Sequence, residues 1–382
     1  MNLRKEIWQD VEYGQVVNHI EINERDPEKR ANAKYVSVEH LKTLDLRIKG
    51  VASEEQPTFS RTFKKGQILF AKRRAYQKKV AIADFDGICS PHLWALETNG
   101  ELLQELLPFI MQRDAFYEYV NANSAGTMST YLKWPALSKY QFKLPPHDEQ
   151  GEILSLFLAI EKQIIQTGEQ GKNLTSLREK LTNQLVCLGA RFGNLLNADN
   201  CTPVTLGDIA KESRENTKSP LEEGIERFVG LEHIEPGNLK IQGWGNVADG
   251  TTFTKTFKIG DVLFGRRRAY LKKAACADFN GICSGDITVL RANTGYILAE
   301  LLPYYLSADS VFEYAVSNSA GSLSPRAKWR DLSKYELTLP DSKSQEKILE
   351  LFQLLDLHID KNKDQRESLN RLKHKLLDEI LG

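Results

Sequence analysis

Two clusters of cations around a tyrosine are the residues of this chain best suited to binding a charged partner. Five cations beside one aromatic, between a predicted strand and the next apolar run, suit a loop that follows a phosphate backbone. A single cluster of this kind is more often a solvated edge, but its repetition favours contact with nucleic acid. The first cluster comprises Lys72, Arg73, Arg74, Tyr76, Lys78 and Lys79, and the second comprises Arg266, Arg267, Arg268, Tyr270, Lys272 and Lys273.

Both clusters lie in a long internal repeat. Residues 69–90 and 263–284 are identical at 16 of 22 aligned positions. Further matches follow at a spacing of 194 to 195 residues, namely ELLPF with ELLPY, and then SAG, KW and LSKY in both halves. A period near half the chain predicts two copies of one domain and a pseudo-twofold molecule. Such a molecule suits a partner with twofold symmetry of its own, and duplex DNA is the leading candidate.

Composition limits the class of protein without identifying it. The 51 basic and 51 acidic residues balance, so any basic patch must be local. The polar start MNLRKEIWQD does not resemble a signal peptide, and no apolar run approaches the length that crosses a bilayer. We therefore expect a soluble, cytoplasmic protein with no membrane partner.

Five cysteines without a CxxC argue against a zinc site and a disulfide framework, and Cys89 and Cys283 are predicted to be small core residues.

The sequence lacks the motifs of the common catalytic sites. It contains no GxGxxG after a predicted strand, no Walker phosphate loop, no NPPY-like tetrapeptide, no GxSxG and no HExxH. We therefore predict a chain that is not an enzyme and that needs no cofactor and no metal. His40 and His233 stand in matching Glu-His pairs, but no second ligand lies at a suitable spacing. They are predicted to be hydrogen-bonded strand or turn histidines.

The elements that position the clusters are predicted as an α+β fold with two similar globular domains and two long helices. The predicted domains are residues 1–145 and 191–340, and each is followed by a helix, at residues 146–190 and 341–382. Apolar residues at alternating steps of three and four predict two helices of about 40 residues, antiparallel to each other in a coiled coil that separates the globular domains. The alternative is that each helix folds back on its own domain. The stripes are Ile153, Phe157, Ile160, Ile164, Leu174, Leu177, Leu181 and Leu185, and then Ile348, Phe352, Leu355, Ile359, Leu369, Leu372, Leu376 and Ile380.

Several segments resemble the specificity subunit of type I restriction-modification enzymes. They are FVGLEHI, FKIGDVLFGR, SAGSLSPRAKW and LTLPDSKSQEKILELFQLLD in the second half, with YVSVEHL, FKKGQILFAK, SAGTMSTYLKW and FKLPPHDEQGEILSLF in the first. The resemblance covers essentially the whole chain. It implies that each domain is a target-recognition domain that reads one half of a split site in double-stranded DNA. It also implies that the helices set the gap and hold two DNA methyltransferase subunits, with a restriction subunit as a further partner. The two domains are more alike here than is usual in the family.

The repeat adds an inference about which residues choose the sequence. Residues identical in both copies cannot by themselves distinguish two different half-sites, so they are predicted to position the DNA backbone or to build the fold. Choice of sequence is predicted where the copies diverge. The divergent segments are 23–33 against 214–224, 91–94 against 285–288, and 130–132 against 325–327. The further candidate contacts in or beside them are Thr130, Tyr131, Lys133, Arg326 and Lys328.

Two other classes of protein stay open at this point. A non-catalytic scaffold would keep the long helices but need not repeat the basic clusters. A tandem RNA-binding protein would keep the clusters, but modules that read RNA usually display paired aromatics for base stacking, which are not evident here.

Overall fold

The structure is a computed structural model that describes residues 3–50, 59–126, 130–186, 200–321 and 324–382. Contacts divide the chain into two units. The first unit consists of Met1–Gly168 together with Lys363–Gly382, and the second is Glu169–Asn362. The predicted boundary between residues 190 and 191 lies outside the described residues.

The first unit contains short strands, short helices and parts of both long helices. Its strands are β1 Gln9–Glu12, β2 Val17–Ile20, β3 Tyr35–Val36, β4 Arg61–Phe63, β5 Ile68–Ala71, β6 Val80–Ile82, β7 Gly87–Cys89, β8 Leu93–Thr98 and β9 Gln141–Leu144. Its helices are α1 Tyr13–Val16, α2 Pro27–Ala31, α3 Leu107–Ile110, α4 Asp114–Ala122, α5 Trp134–Leu137 and the start of α6 His147–Val186. Single 3₁₀ turns occur at Lys5–Ile7, Val38–His40 and Ala75–Gln77.

The central strand β5 shows how the first unit is layered. It lies in an antiparallel four-stranded sheet of order β2-β8-β5-β6. Successive side chains of a strand point to opposite faces. Ile68 and Phe70 accordingly pack in the core that the helices share, while Leu69 and Ala71 pack in a second core beneath the three-stranded sheet β3-β7-β4. Burial on both faces explains why β5 reads as an unbroken apolar run.

The second unit repeats this order. Its strands are β10 Cys201–Thr205, β11 Ala210–Ser213, β12 Arg227–Val229, β13 Gly245–Asn246, β14 Lys255–Phe257, β15 Val262–Gly265, β16 Ala274–Cys276, β17 Gly281–Cys283, β18 Ile287–Ala292 and β19 Glu336–Pro340. Its helices are α7 Leu206–Ile209, α8 Leu302–Ser307, α9 Asp309–Ser317, α10 Trp329–Leu332 and the start of α11 Ser342–Leu381. Single 3₁₀ turns occur at Leu231–His233, Val247–Asp249, Ala269–Leu271 and Ala299–Leu301.

The sheets of the second unit correspond to those of the first, with β13 as one additional strand. The four-stranded sheet has the order β11-β18-β15-β16, and a further sheet has the order β13-β12-β17-β14. Val262 and Phe264 face the helical core, and Leu263 faces the other sheet. The α+β class predicted for both halves is therefore confirmed. The short runs 67–70, 80–83 and 93–96 predict strands, and the bounds of β5, β6 and β8 lie within two residues of them.

One predicted helix is broken in each unit. The moderate apolarity of residues 102–121 predicts one helical stretch, but α3 ends at Ile110 and α4 begins at Asp114. The break has a local cause, because Arg113 is extended, with φ −67° and ψ 148°, and stands as the N-cap of α4. The corresponding Ala308 of the second unit is extended in the same way before α9. In both units the break places an aspartate at the first position of the following helix.

The two long helices have the predicted length, since α6 and α11 each contain 40 residues. Near the start of each helix, a buried glutamine makes the same pair of hydrogen bonds. The side-chain amide of Gln150 donates to the carbonyls of Glu101 and Pro145, and that of Gln345 donates to those of Tyr296 and Pro340. A buried amide that satisfies main-chain carbonyls fixes the direction in which the helix leaves its sheet.

Within each unit the parts of α6 and α11 that belong to it run antiparallel. In the first unit Glu161 pairs with Lys373, and Gly168 lies against Arg366. In the second unit Gly171 lies against Asn362, and Arg178 pairs with Asp356. A Cβ added to Gly171 would lie 2.8 Å from Asn362 Oδ1. The stripes have no apolar position between Ile164 and Leu174 or between Ile359 and Leu369. In these intervals polar side chains of α11 pack over glycines of α6.

Each apolar stripe is buried in its first part, up to Ile164 and Leu355, is half-buried or exposed in most of its later part, and is buried again at Leu185 and Ile380. Phe157 stacks on Phe109 in the first unit, and Phe352 stacks on Tyr304 in the second. Leu177 and Leu372 were predicted to be buried as well, but they are 47% and 46% exposed. Beside Leu372 the buried side chain is Lys373, which is 3% exposed. The spacing of the stripe predicted a buried leucine at position 372. Instead, the next residue, Lys373, is buried and forms an ion pair with Glu161.

Candidate nucleic-acid interface

Each cation cluster forms a tight turn after the central strand of its sheet. We call residues 72–79 and 266–273 the first and second basic turns. In both, a 3₁₀ turn with a tyrosine at its centre lies between two residues in the left-handed region. Their φ values are 54° at Arg74 and 52° at Lys78, and 52° at Arg268 and 51° at Lys272. Because this conformation is unfavourable for a residue with a Cβ, other contacts must hold it.

The first lysine of the pair that ends each turn supplies such a contact. Lys78 Nζ lies 2.7 Å from Asp114 Oδ1, and Lys272 Nζ lies 2.5 Å from Asp309 Oδ1. These aspartates are the first residues of α4 and α9. The hydrogen bond from each lysine lowers the pKa of the aspartate carboxyl below its ordinary value. Each ion pair therefore ties its basic turn to a helix of the same unit.

Lys79 and Lys273 also contact their own unit. Lys79 Nζ donates to the carbonyl of Val38 at 3.0 Å, and Lys273 Nζ donates to that of Leu231 at 2.7 Å. Burial lowers the pKa of the Lys79 ammonium, and the neighbouring charge of Lys42 acts in the same direction. Both lysines have an evident part in holding the turns, and their contact with DNA stays a prediction.

The side chains at the tips of the turns face solvent. Tyr76 is 54% exposed and Tyr270 is 55% exposed. Arg74 and Arg268, one residue before each 3₁₀ turn, are exposed as well. Lys72 instead lies over the Trp94 ring, 5.5 Å from its centroid, and burial, followed by the charge of Arg61, lowers its pKa. An exposed arginine and tyrosine on a rigid turn are suited to a phosphate and a sugar or base.

Two of the three predicted divergent segments lie directly beside each basic turn. We call residues 72–74, 91–94 and 130–132 the first junction, and residues 266–268, 285–288 and 325–327 the second junction. In the first junction the carbonyl of Lys72 accepts from Leu132 N at 2.9 Å, and Lys72 N donates to the carbonyl of His92 at 3.0 Å. The first divergent pair, 23–33 with 214–224, lies elsewhere and bridges through Asn23 to Arg61 and through Asn216 to Lys255.

The second junction has the same main-chain bonds. The carbonyl of Arg266 accepts from Ala327 N at 2.8 Å, and Arg266 N donates to the carbonyl of Asp286 at 3.0 Å. Arg268 N donates to the carbonyl of Pro325 at 3.0 Å, as Arg74 N does to that of Thr130 at 2.8 Å. The junctions therefore share one main-chain frame.

The side chains on this frame differ between the units. In the first junction Arg73 Nη1 lies 3.0 Å from His92 Nε2, and burial lowers the pKa of His92, as does the charge of Arg73. Tyr131 is 43% exposed, and the Lys133 ammonium lies over its ring, 5.9 Å from the centroid. Lys328, the counterpart of Lys133, is exposed.

In the second junction a carboxylate joins two arginines. Asp286 accepts from Arg267 Nη1 at 3.1 Å and from Arg326 Nε at 2.9 Å. Arg267 Nε also donates to Ser324 Oγ at 2.6 Å. Burial by itself raises the pKa of Asp286, but the hydrogen bonds from the two arginines outweigh it and keep the pKa below its ordinary value.

Sequence reasoning named the segments that contain His92 and Asp286 but did not single out either residue. It missed Asp114 and Asp309 altogether. The available signal was the register of the repeat, because Asp286 replaces His92 and Arg326 replaces Tyr131 on an otherwise matching background. Thr127, Met128 and Ser129 of the SAGTMSTYLKW motif lie outside the described residues, as do Ser322 and Leu323 of its counterpart.

The histidines of the Glu-His pairs form hydrogen bonds within turns, and the two matched cysteines lie in the core. His40 Nδ1 accepts from Ser37 N at 2.8 Å, and His233 Nδ1 accepts from Gly230 N at 3.0 Å, so both are turn histidines as predicted. Cys89 and Cys283 are buried as predicted, and burial raises the pKa of each thiol to about 12.

Among the described helices, none has the length and apolarity to span a membrane.

A comparison with models of protein families identifies the family to which this architecture belongs. The model of the type I restriction modification DNA specificity domain matches twice, over residues 5–174 and 199–371. The chain belongs to this family. The two matched regions correspond to the two halves of the repeat, so the specificity domain occurs twice in one chain.

Individual relatives agree with the family. Over 163 residues the chain is 29% identical to the type I restriction enzyme EcoDI specificity subunit of Escherichia coli, an alignment that covers 39% of this chain and 36% of the relative. The aligned region thus spans about a third of that curated relative's length.

Solved structures share the fold. A chain from a study of complex assembly and conformational transition of the type I R-M system has a TM-score of 0.59 at 19% identity, with 97% of each chain covered. The type I restriction-modification S subunit from M. genitalium has a TM-score of 0.58 at 15% identity, with 100% of this chain and 98% of that chain covered.

Proposed function

We propose that this chain is the DNA sequence-recognition subunit of a type I restriction-modification system, and that it carries out no chemistry itself. Each unit reads one half of a bipartite duplex site. One observation carries the proposal, namely that the same main-chain frame is built twice, with cations at the same positions beside it and different side chains upon it. A molecule that binds one backbone geometry but two different base sequences needs this combination.

The outward set of each basic turn is assigned to the DNA backbone. It consists of Arg74 and Tyr76 in the first unit and of Arg268 and Tyr270 in the second, all of them exposed. Since the chain has no net charge, attraction to DNA has to come from local groups such as these. Lys72, Lys78, Lys79 and their counterparts add positive potential behind the turns. The lysine pair of each turn also holds the turn in place.

The partners are assigned to the long helices. Leu177 and Leu372 are 195 positions apart in the repeat, and each exposes nearly half of its side chain on its helix. Two equivalent apolar positions suit two copies of one partner. We assign them to two DNA methyltransferase subunits, with a restriction subunit joining the resulting complex in the cytoplasm.

The test is to express the chain with its methyltransferase subunit in cells and to map methylated bases across the genome. A single split motif with a fixed gap is expected, together with no methyl transfer, nuclease or nucleotide hydrolysis activity of the purified chain alone. Binding of the complex should be competed by duplex DNA and not by single-stranded DNA or RNA. Methylation without a split motif, or preferential competition by RNA, would contradict the proposal.

A further inference from the structure

We propose that Arg326 reads a guanine in the half-site of the second unit and that Asp286 is the residue that positions it. In the first unit, Tyr131 and His92 occupy the same two places and cannot read guanine in this way. The inference rests on the proposed function and deepens it, because it assigns a base class to one side chain.

The main-chain frame makes the two junctions comparable residue by residue. Arg326 bridges to Ala320 through paired main-chain bonds of 3.2 and 3.0 Å, as Tyr131 bridges to Ala125 through bonds of 2.9 and 2.9 Å. Asp286 N donates to Ser284 Oγ at 3.2 Å, as His92 N donates to Ser90 Oγ at 3.3 Å. The two pairs of side chains are therefore mounted at equivalent points, and what differs is their chemistry.

The contact between Arg326 and Asp286 leaves the end of the guanidinium available. Asp286 accepts from Nε, and among the residues that the structure describes the two Nη groups of Arg326 have no hydrogen-bond partner. The Arg326 side chain is 46% exposed, whereas that of Asp286 is 19% exposed. A guanidinium held from behind at Nε presents two parallel N–H donors, which match O6 and N7 of guanine in the major groove.

The carboxylate also distinguishes base reading from phosphate binding. Asp286 cancels one of the two positive charges of Arg267 and Arg326, and a negative charge close to the DNA backbone weakens attraction to phosphate. A site built for phosphate gains from uncompensated cations. A site built for a base gains from a guanidinium with a fixed direction, which Asp286 supplies.

The first junction has no such fork at the corresponding place. Tyr131 offers one hydroxyl and a ring, over which the Lys133 ammonium lies. His92 contacts Arg73 and bears no fixed negative charge with which to orient a second cation. Replacing His92 by Asp and Tyr131 by Arg would rebuild both members of the second junction on the frame of the first.

The experiment uses the full chain in complex with its methyltransferase. Methylation maps and competition binding to duplexes with single-base changes are compared for the unsubstituted chain, Arg326→Ala, Arg326→Lys, Asp286→Asn and the pair His92→Asp with Tyr131→Arg. With Arg326→Ala, one guanine of the second half-site should become degenerate, with preference at that position falling by roughly 5- to 150-fold. Arg326→Lys keeps the charge but has neither the planar fork nor the Nε that Asp286 holds, so it should lower the preference for that guanine. The first half-site and the gap should not change.

The other two variants test the positioning role. Asp286→Asn should reduce the preference at the same base while affinity for unrelated duplexes holds or rises, since a negative charge is removed. A purely structural role would instead lower thermal stability and affinity together. The pair His92→Asp with Tyr131→Arg should introduce a guanine at one position of the first half-site and leave the second half-site unchanged.

Clear outcomes overturn the inference. Arg326→Ala that weakens binding to all duplexes equally, with full rescue by Arg326→Lys, would make Arg326 a phosphate contact. A second half-site without guanine would also reject the inference while leaving the proposed function intact. Loss of any split motif in the unsubstituted complex would reject the proposed function itself. If Arg326→Ala does not fold, Arg326→Lys decides the question alone.

Discussion

Lys373 and Glu161 form an ion pair inside the first unit, with Lys373 Nζ 2.7 Å from Glu161 Oε1. Their side chains are 4% and 14% exposed. Lys373 also donates to Gln112 Oε1 at 2.9 Å, which joins both long helices to the segment before α4. In a buried setting, the charges must satisfy each other, so removing one partner costs more than removing both.

We therefore expect Glu161→Ala to lower the free energy of unfolding by about 3–5 kcal/mol, because it leaves a buried ammonium without its carboxylate. Lys373→Met combined with Glu161→Leu should recover most of this loss. The measurement is urea unfolding followed by tryptophan fluorescence, arranged as a double-mutant cycle of Glu161→Leu, Lys373→Met and the two together. A loss in the double variant equal to the sum of the two single losses would show that the pair does not act as a unit.

The exposed arginines of the basic turns provide a test of backbone contact. Arg74→Ala and Arg268→Ala should each reduce the slope of log affinity against log salt by about one, because each removes one phosphate contact. Affinity should fall by a similar factor for all duplex sequences. Lys65→Ala, an exposed lysine of the first unit outside the turn, is the matched control and should leave the slope unchanged. A change in the methylated motif with Arg74→Ala would argue that this arginine reads bases.

The inner lysines of the turns should behave differently from the arginines. Lys79→Ala and Lys273→Ala remove donors to the carbonyls of Val38 and Leu231, so we expect each to lower the free energy of unfolding by about 1 kcal/mol. Adding Lys78→Ala to Lys79→Ala should weaken duplex binding uniformly and also reduce stability. Calorimetry of the free chain separates the two effects. Unchanged stability together with weaker binding would assign these lysines to DNA alone.

The exposed leucines of the long helices test the assignment of partners. Leu177→Asp and Leu372→Asp should change the free energy of unfolding by less than about 0.5 kcal/mol, since both side chains already face solvent. They should nevertheless abolish co-purification of the methyltransferase. Lys172→Asp, a larger change of charge at an exposed position of α6, should leave co-purification intact. Normal complex formation by both leucine variants would remove these positions from the docking surface.

A buried histidine should make the first unit sensitive to acid. His19 packs against the rings of both Trp94 and Trp134, and burial lowers its pKa from 6.5 to about 4, helped by Arg61 and Lys72 and opposed by Glu21. The folded state favours the neutral imidazole, so its stabilising effect is present above pH 6.5 and is lost as the pH falls from 6.5 towards 4.

In that window His19 should contribute a loss of at most about 1.4 kcal/mol per pH unit. His19→Gln removes the titrating group and should flatten the pH dependence of the urea midpoint by this amount. The measurement is a set of urea titrations of both proteins at several pH values. Parallel pH profiles for the two proteins would show that His19 does not titrate in this way.

Sequence patterns were informative where a property repeats along the chain. The duplication and the two 40-residue helices follow from periodicity, and the central strands follow from short apolar runs. Patterns failed where one contact overrides the period, as at Lys373, which is buried beside the exposed Leu372 because Glu161 and Gln112 receive its ammonium. The cations of the basic turns were evident in the sequence. The carboxylates that hold them were not, because Asp114 lies 36 residues from Lys78 and Asp309 lies 37 from Lys272.

The left-handed residues and main-chain bonds of the two junctions have a consequence for how this protein can diversify. The three segments of each junction are joined chiefly by amide and carbonyl groups, which every residue type except proline carries in full. Pro325 itself stands at a position that supplies only a carbonyl. Mutations at positions 92, 131, 286 and 326 therefore alter the side-chain chemistry of the junctions without removing these main-chain donors and acceptors. Such a scaffold allows the recognised sequence to change during evolution while every intermediate protein still folds. Because the scaffold is present twice, each copy can change independently of the other.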